Sequence, residues 1–200
     1  MKLSYHHVSL PKEGERVSGD AVVVREQDGI TLLAVIDALG HGPVAAVVAD
    51  RGRAFLEAVT LARDVRHITE GLHDALKGTR GAAGMCILLR KGRVEGCGVG
   101  NVELRSTKDR VPVVLTPGIL GGSTFRPRVF EGSVSSGARL LMFSDGISPR
   151  MDLERFAKLT AEIACKTLVE RYRRAHDDAT LLVVDVQGME ISPTSGGQNL

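Results

Sequence analysis

Three stretches of this chain, Ile30–Ile36, Ala138–Phe143 and Ala179–Val186, are almost wholly apolar, and each is bordered by aspartate. Asp37 follows the first, Asp145 lies just past the second, and Asp177-Asp178 precedes the third. Short apolar runs without polar alternation read as strands buried on both faces. Such strands need cover on each side, so the fold must be layered.

The flanking sequence supplies the other layers. Asp28-Gly29 is a tight-turn signal that closes a hairpin between Val17–Arg25 and the first apolar run, and Lys91-Gly92 does the same between residues 83–90 and 93–100. Residues 3–10, 102–107, 111–115 and 127–134 read as further short strands. From Pro43 the period changes: Val44, Val47, Val48, Phe55, Val59 and Ala62 recur at helical spacing, with the proline suited to a first turn. Val65, Ile68, Leu72, Ala75 and Leu76 form the stripe of a second helix, which Gly78 ends. Residues 152–174 read as helical with a break near Thr160.

Strands, two helices, strands, two helices and a last strand do not alternate as βαβ units, which argues against a doubly wound parallel sheet. The expected class is α+β: a four-layer α-β-β-α sandwich, two mostly antiparallel sheets flanked by helix pairs. Residues 1–186 are expected to form one domain. The Gly-, Ser-, Pro- and Asn-rich residues 187–200 read as a flexible tail.

Composition narrows the function. A formal net charge of +2 gives no case for nucleic acid or membrane lipid as the main partner. Aromatics are 4% with no Trp, so the core must be aliphatic. Cys86, Cys97 and Cys165 sit in apolar segments without CxxC spacing, which reads as reduced, buried thiols in a cytoplasmic protein. No apolar stretch has the length to span a bilayer, and the first residues have no apolar signal core.

The chemistry lies at the strand ends. Asp20, Asp37, Asp145 and Asp177-Asp178 each flank an apolar strand, where a carboxylate can enter a cleft while its strand stays buried. Like charges gathered in a poorly solvated site repel strongly unless something neutralises them. Hard oxygen donors select Mg²⁺ or Mn²⁺, and two such ions can activate a water and clamp a phosphoryl group. Asp28, Asp64, Asp109 and Asp152 read instead as turn formers and caps. His67 and His73 read as surface residues, while His41 and His176 adjoin the acidic motifs. Arg126, Arg128 and Arg150 could hold an acidic partner but read first as solvated. Gly40-His41-Gly42-Pro43-Val44-Ala45 fits the GxGxxG/A pattern of a dinucleotide site, but a helix rather than a second strand follows it.

Asp37-Ala38-Leu39-Gly40-His41-Gly42, Ser144-Asp145-Gly146 and Asp177-Asp178-Ala179-Thr180 occur in that order, with Ser18-Gly19-Asp20 and Gly100-Asn101. This ordered set resembles the bacterial branch of the metal-dependent type-2C serine/threonine phosphatases, the SpoIIE/RsbU group, over about residues 15–186. The group usually has Asp-Gly where this chain has Asp37-Ala38. The resemblance implies two divalent cations, Mn²⁺ or Mg²⁺, bridged by Asp37, with Asp145 and Asp177 completing one side. It implies a backbone carbonyl from Ala38, water-mediated support from Asp20, and Asp178 in place of or beside Asp177. A metal-bridged water would then hydrolyse phosphoserine or phosphothreonine without a covalent intermediate. Because the first motif begins near residue 18, the chain is similar to the bare catalytic domains of the RsbX-like branch. That likeness implies phosphorylated STAS-domain substrates of a stressosome, RsbR- or RsbS-like. Two other classes compete: a non-catalytic phosphoprotein-binding module of the same fold, suggested by Ala38, and a nucleotide-binding protein using Gly40 and Gly42.

Overall fold

The computed structural model describes residues 1–123 and 126–188. In chain order these form β1 (Lys2–Leu10), β2 (Asp20–Gln27), β3 (Ile30–Ala38), α1 (Gly42–Ala58), α2 (Val65–Ala75), β4 (Ala82–Arg90), β5 (Arg93–Val99) and β6 (Glu103–Ser106). There follow β7 (Leu115–Thr116), β8 (Val129–Ser133), β9 (Arg139–Phe143), a 3₁₀ turn over Leu153–Phe156, α3 (Ala161–Tyr172) and β10 (Ala179–Gln187). One sheet has the order β1-β10-β9-β6; the other runs β2-β3-β4-β5-β7, with β8 also on β5. Every pairing is antiparallel except β5 with β7.

Alternation along the apolar strands explains why they lack polar residues. On β3, Leu33 and Val35 meet Leu140 and Met142 of β9 and Leu182 and Val184 of β10 between the sheets. Leu32, Ala34 and Ile36 point the other way, onto Leu56 of α1 and Ile68 and Leu72 of α2. On β9, Leu141 and Phe143 turn to Cys165 and Leu168 of α3. Each central strand therefore serves two cores, and the layers stack as helix, sheet, sheet, helix. The fold is the expected sandwich of class α+β, with one departure. The second outer layer has a single α-helix and a 3₁₀ turn instead of a helix pair.

Arg139 accounts for that departure. Buried at 7% exposure at the start of an apolar strand, it pairs with Asp185 across β9–β10 at 2.5 and 2.8 Å. Its remaining donors reach the carbonyls of Phe156 (2.7 Å) and Leu159 (2.6 Å). Those carbonyls are thereby held outside a continuing helix, and α3 starts afresh at Thr160, whose hydroxyl accepts from the Ile163 N–H. Arg139→Ala leaves Asp185 unpaired and the Leu159 carbonyl without its donor, while the Phe156 carbonyl keeps the Leu159 N–H at 3.2 Å. A loss of about 3 kcal/mol is expected, or roughly 10 °C in thermal midpoint; calorimetry showing less than a few degrees would contradict this role.

Smaller expectations also shift. Val44 and Val47 of α1 are 58% and 68% exposed, while the buried face is Gly42, Ala45, Val48, Ala49, Gly52 and Leu56. Small residues let α1 lie close on β3: a side chain at Gly52 would meet Ile36 Cδ1 at 2.7 Å. Residues 111–114 form no strand. Asp152 makes no capping bond and instead pairs with Arg155, whereas Asp64 caps α2 through the His67 N–H. β10 reaches Gln187, and residues 189–200, most of the expected tail, lie outside the described residues. Among the described residues no helix is long and apolar enough to cross a membrane.

Candidate active site

Strand register gathers the aspartates. In the β2–β3 hairpin Asp20 lies directly opposite Asp37. In the other sheet Leu181 pairs with Phe143, so the residues leading into β10 run beside those leaving β9. This brings Asp177 and Asp178 next to Ser144-Asp145-Gly146. The approach is close: a Cβ on Gly146 would collide with the Asp178 carbonyl, which is why glycine follows Asp145. The two sheets carry their acidic ends to the same edge of the sandwich. There Asp37, Asp145 and Asp177 line a cavity of about 480 Å³, walled by Leu39, Gly118 and Ile119 and rimmed by His41 and His176.

A larger cavity of about 1000 Å³ lies at the opposite ends of β4 and β5. Its mixed lining of Arg90, Arg93, Arg110, Glu95 and Glu131 holds no constellation suited to chemistry.

The five aspartates have different surroundings. Asp20 is buried; its Oδ2 accepts from Ser144 Oγ at 2.7 Å, and its Oδ1 has no hydrogen-bond partner. Burial, reinforced by Asp178 and Asp177 and opposed by the Ser144 and Thr180 hydroxyls, pushes Asp20 up to about 7. Asp37 is pushed up to about 8, first by burial and then by the charges of Asp20, Asp145, Asp177 and Asp178. Asp145 is raised by burial and by Asp177; Arg174, His176 and a 2.7 Å bond from Asn101 Nδ2 hold it down. Asp178 is committed elsewhere: its Oδ1 accepts the Lys12 N–H (2.7 Å) and its Oδ2 the Gly19 N–H (2.8 Å). Asp177 faces the cavity and, among the described residues, accepts only the neighbouring Asp178 N–H.

Several other residues resolve. Among the described non-glycine residues only Asp28 and Lys91 take a positive φ, so Ala38 sits in a backbone that needs no glycine. Both exceptions form the expected hairpin turns. Thr180 is a buried strand residue whose N–H donates to Ser144 Oγ. His41 is bound at Nδ1 by Glu15 (2.7 Å) and at Nε2 by Lys12 (2.9 Å). His73 is not on the surface: it is buried, and its Nδ1 accepts the Gly121 N–H at 3.1 Å. Cys86 and Cys97 face each other across β4–β5, with burial pushing Cys86 up to about 12. Such thiols are inert. Arg126, Arg128 and Arg150 are exposed. Gly40–Gly42 does precede a helix, but an antiparallel sheet follows, so no dinucleotide unit forms. Two arginines that bond lining residues, Arg80 to the Leu39 carbonyl and Arg174 to the Asp145 carbonyl, escape sequence reading; only the nearness of Arg174 to Asp177 hints at either.

The donor set fits hard divalent cations. It is all oxygen, one buried carboxylate oxygen of Asp20 lacks any donor, and the mutual repulsion of the carboxylates is what a cation would relieve. Among the described residues no three His, Cys, Asp or Glu side chains are already closed into a metal-gripping group.

Two facing antiparallel sheets with this acidic edge define the PP2C-like class of serine/threonine phosphatases. Residues 27–187 match the family model described as Stage II sporulation protein E (SpoIIE), and the chain belongs to that family. It is 26% identical over 145 residues to the phosphoserine phosphatase RsbX of Bacillus subtilis (strain 168), covering 70% of this chain and 72% of that one. A crystal structure of RsbX with magnesium superposes with a TM-score of 0.78 at 22% identity, covering 91% of this chain and 94% of that one. A structure described as "The bacterial stressosome: a modular system that has been adapted to control secondary messenger signaling" matches at a TM-score of 0.85 and 33% identity, over 92% of this chain and 100% of that one. The catalytic domain of the serine/threonine protein phosphatase PstP, solved with two manganese ions, shares the fold at a TM-score of 0.69 and 19% identity, over 93% and 99% of the two chains.

Proposed function

We propose that residues 1–186 act as one cytoplasmic catalytic domain that hydrolyses phosphoserine and phosphothreonine on proteins with the help of two Mn²⁺ or Mg²⁺ ions. The observation that carries the proposal is the meeting of Asp37 from one sheet with Asp145 and Asp177 from the other at a single cavity, with Asp20 buried opposite Asp37. In this reading Asp37, Asp145 and Asp177 would hold the ions, with the Ala38 carbonyl and Asp20 supporting the set. Asp178 acts at one remove, because both its oxygens hold backbone N–H groups of the Lys12–Gly19 loop. The ordinary backbone at Ala38 removes the sequence argument for a non-catalytic binding module.

When bound, the ions supply Lewis acidity and lower the pKa of water to near neutrality. The chain's own residues set the geometry. Asn101 fixes the rotamer of Asp145, and Ser144, itself held by the Thr180 N–H, fixes Asp20. Leu39 and Ile119 give the cavity apolar walls that suit the short aliphatic arm of a seryl or threonyl phosphate. Hydrolysis breaks the P–O bond to that arm, with the entering oxygen from water and the departing alkoxide taking up a proton.

The RsbX likeness and the stressosome structure support a finer reading, in which the substrates are phosphorylated STAS-domain proteins, RsbR- or RsbS-like, and the chain resets a stressosome. The test is hydrolysis of para-nitrophenyl phosphate and of a phosphorylated STAS-domain protein with Mn²⁺, Mg²⁺ or EDTA. Metal-dependent turnover that EDTA abolishes is expected. Turnover of neither substrate with any metal would reject the enzyme reading.

A further inference from the structure

Three carboxyl groups line the cavity, and the proposed substrate arrives as a phosphate dianion. Metal ions would neutralise one side of that dianion. Its outward oxygens need donors from the protein itself.

Two guanidinium groups lie just outside the cavity lining, each against the backbone of a different lining residue. Arg80 Nη1 donates to the Leu39 carbonyl at 3.2 Å, and Leu39 lines the cavity. The loop before β4 holds Arg80 there, because the Leu39 N–H in turn donates to the Gly81 carbonyl at 3.0 Å. Gly40 makes room: a Cβ on it would sit 2.5 Å from Arg80 Nη1. Arg174 Nη1 donates to the Asp145 carbonyl at 2.9 Å, and the Arg174 N–H donates to the Gly146 carbonyl at 2.8 Å. Its charge is close enough to act on the Asp145 carboxylate. Both arginines are exposed, and neither forms an ion pair among the described residues. Each spends one donor on the backbone of a lining residue and keeps others for a ligand.

Resting on the phosphatase reading, we propose that Arg80 and Arg174 bracket the cavity mouth and donate to the outward oxygens of the substrate's phosphate dianion. They are the chain's own phosphate contacts, and they make the site selective for a dianionic monoester over a monoanionic diester. A guanidinium keeps its charge at any working pH and offers paired donors that match phosphate oxygens, which lysine does not.

The experiment uses the full chain with saturating Mn²⁺. Kinetics with para-nitrophenyl phosphate and inhibition by inorganic phosphate are compared for wild type, Arg80→Ala, Arg174→Ala, the double variant, and the two lysine variants. A charged hydrogen bond is worth about 1.5–3 kcal/mol, so each alanine variant should raise KM and the phosphate inhibition constant by roughly 10-fold or more. The lysine variants should recover only part of this. Turnover of bis(para-nitrophenyl) phosphate should fall less than monoester turnover. Mn²⁺ affinity by calorimetry and the thermal midpoint should hold, which separates phosphate contact from metal loss or misfolding. Unchanged KM and phosphate inhibition in an active double variant would overturn the proposal, as would a KM effect that tracks weakened Mn²⁺ binding. Inactive wild-type protein would instead count against the phosphatase reading on which it rests.

Discussion

Asp37→Asn is expected to fold, to lose nearly all metal-dependent turnover, and to be more stable than wild type when metal-free at pH 8 and above. The three outcomes share one cause. Asp37 lies opposite Asp20 and feels four neighbouring carboxylates, and burial with that repulsion pushes it up to about 8. Such a carboxylate is a liability to the metal-free fold once ionised. Asparagine keeps the shape and removes the charge. It also removes a carboxylate proposed to hold the ions. Metal assistance supplies several kcal/mol of transition-state stabilisation, so turnover should fall by roughly 10²- to 10⁴-fold. Para-nitrophenyl phosphate kinetics and a metal-free melt at pH 8 measure the two sides. A variant with wild-type turnover would sink the assignment of Asp37. One that loses activity because it melts far below wild type would show the carboxylate to be structural instead.

The layered fold was legible because two-face burial leaves a local mark. A strand such as Ile30–Ile36 serves two cores at once, so its alternation disappears, and an acid at its end stands out against the apolar run. The buried face of α1 left no such mark. Ala45, Ala49 and Gly52 pack against the sheet because they are small, and they read as neutral, while the exposed Val44 and Val47 read as core. His73 reads as a surface residue because its cover, the Gly121 backbone, comes from 48 residues away. The doublet Asp177-Asp178 could not be divided from sequence. Successive residues entering a strand point to opposite sides, and only the loop folded back from Lys12 to Gly19 shows which one is consumed. Arg80 bonds the lining residue Leu39 through a contact 41 residues apart, for which no local pattern exists.

The metal-free protein is expected to lose stability as pH rises from about 5 to 8, and Mn²⁺ is expected to cancel or invert that slope. Asp20 and Asp37 are raised from 3.8 to about 7 and about 8. Between the unfolded and folded values the native state binds more protons than the unfolded chain, so stability falls with pH. Below about pH 4 both carboxyls are protonated in either state and their contribution is fully present; above pH 8 it is gone. Each contributes up to about 1.4 kcal/mol per pH unit within its window. His7 and His73, held down chiefly by burial, work the other way as pH approaches 6.5, because the fold prefers them neutral. The carboxyl slope spans the wider window and should prevail, lowering the melting midpoint by roughly 10 °C between pH 5 and 8. Mn²⁺ binds the ionised carboxylates, so its stabilisation grows with pH, reaching about 2.7 kcal/mol at a hundredfold excess over its dissociation constant. The decisive comparison is a set of melts at pH 5, 6.5 and 8 in EDTA and in Mn²⁺, repeated for Asp20→Asn/Asp37→Asn. A metal-free midpoint that rises with pH, or a slope that persists in the double variant, would place the pH sensitivity outside the acidic edge. The expected result, a slope carried by these two carboxylates and removed by the ion, would tie the electrostatic frustration of the metal-free protein to the cation proposed for its strand ends.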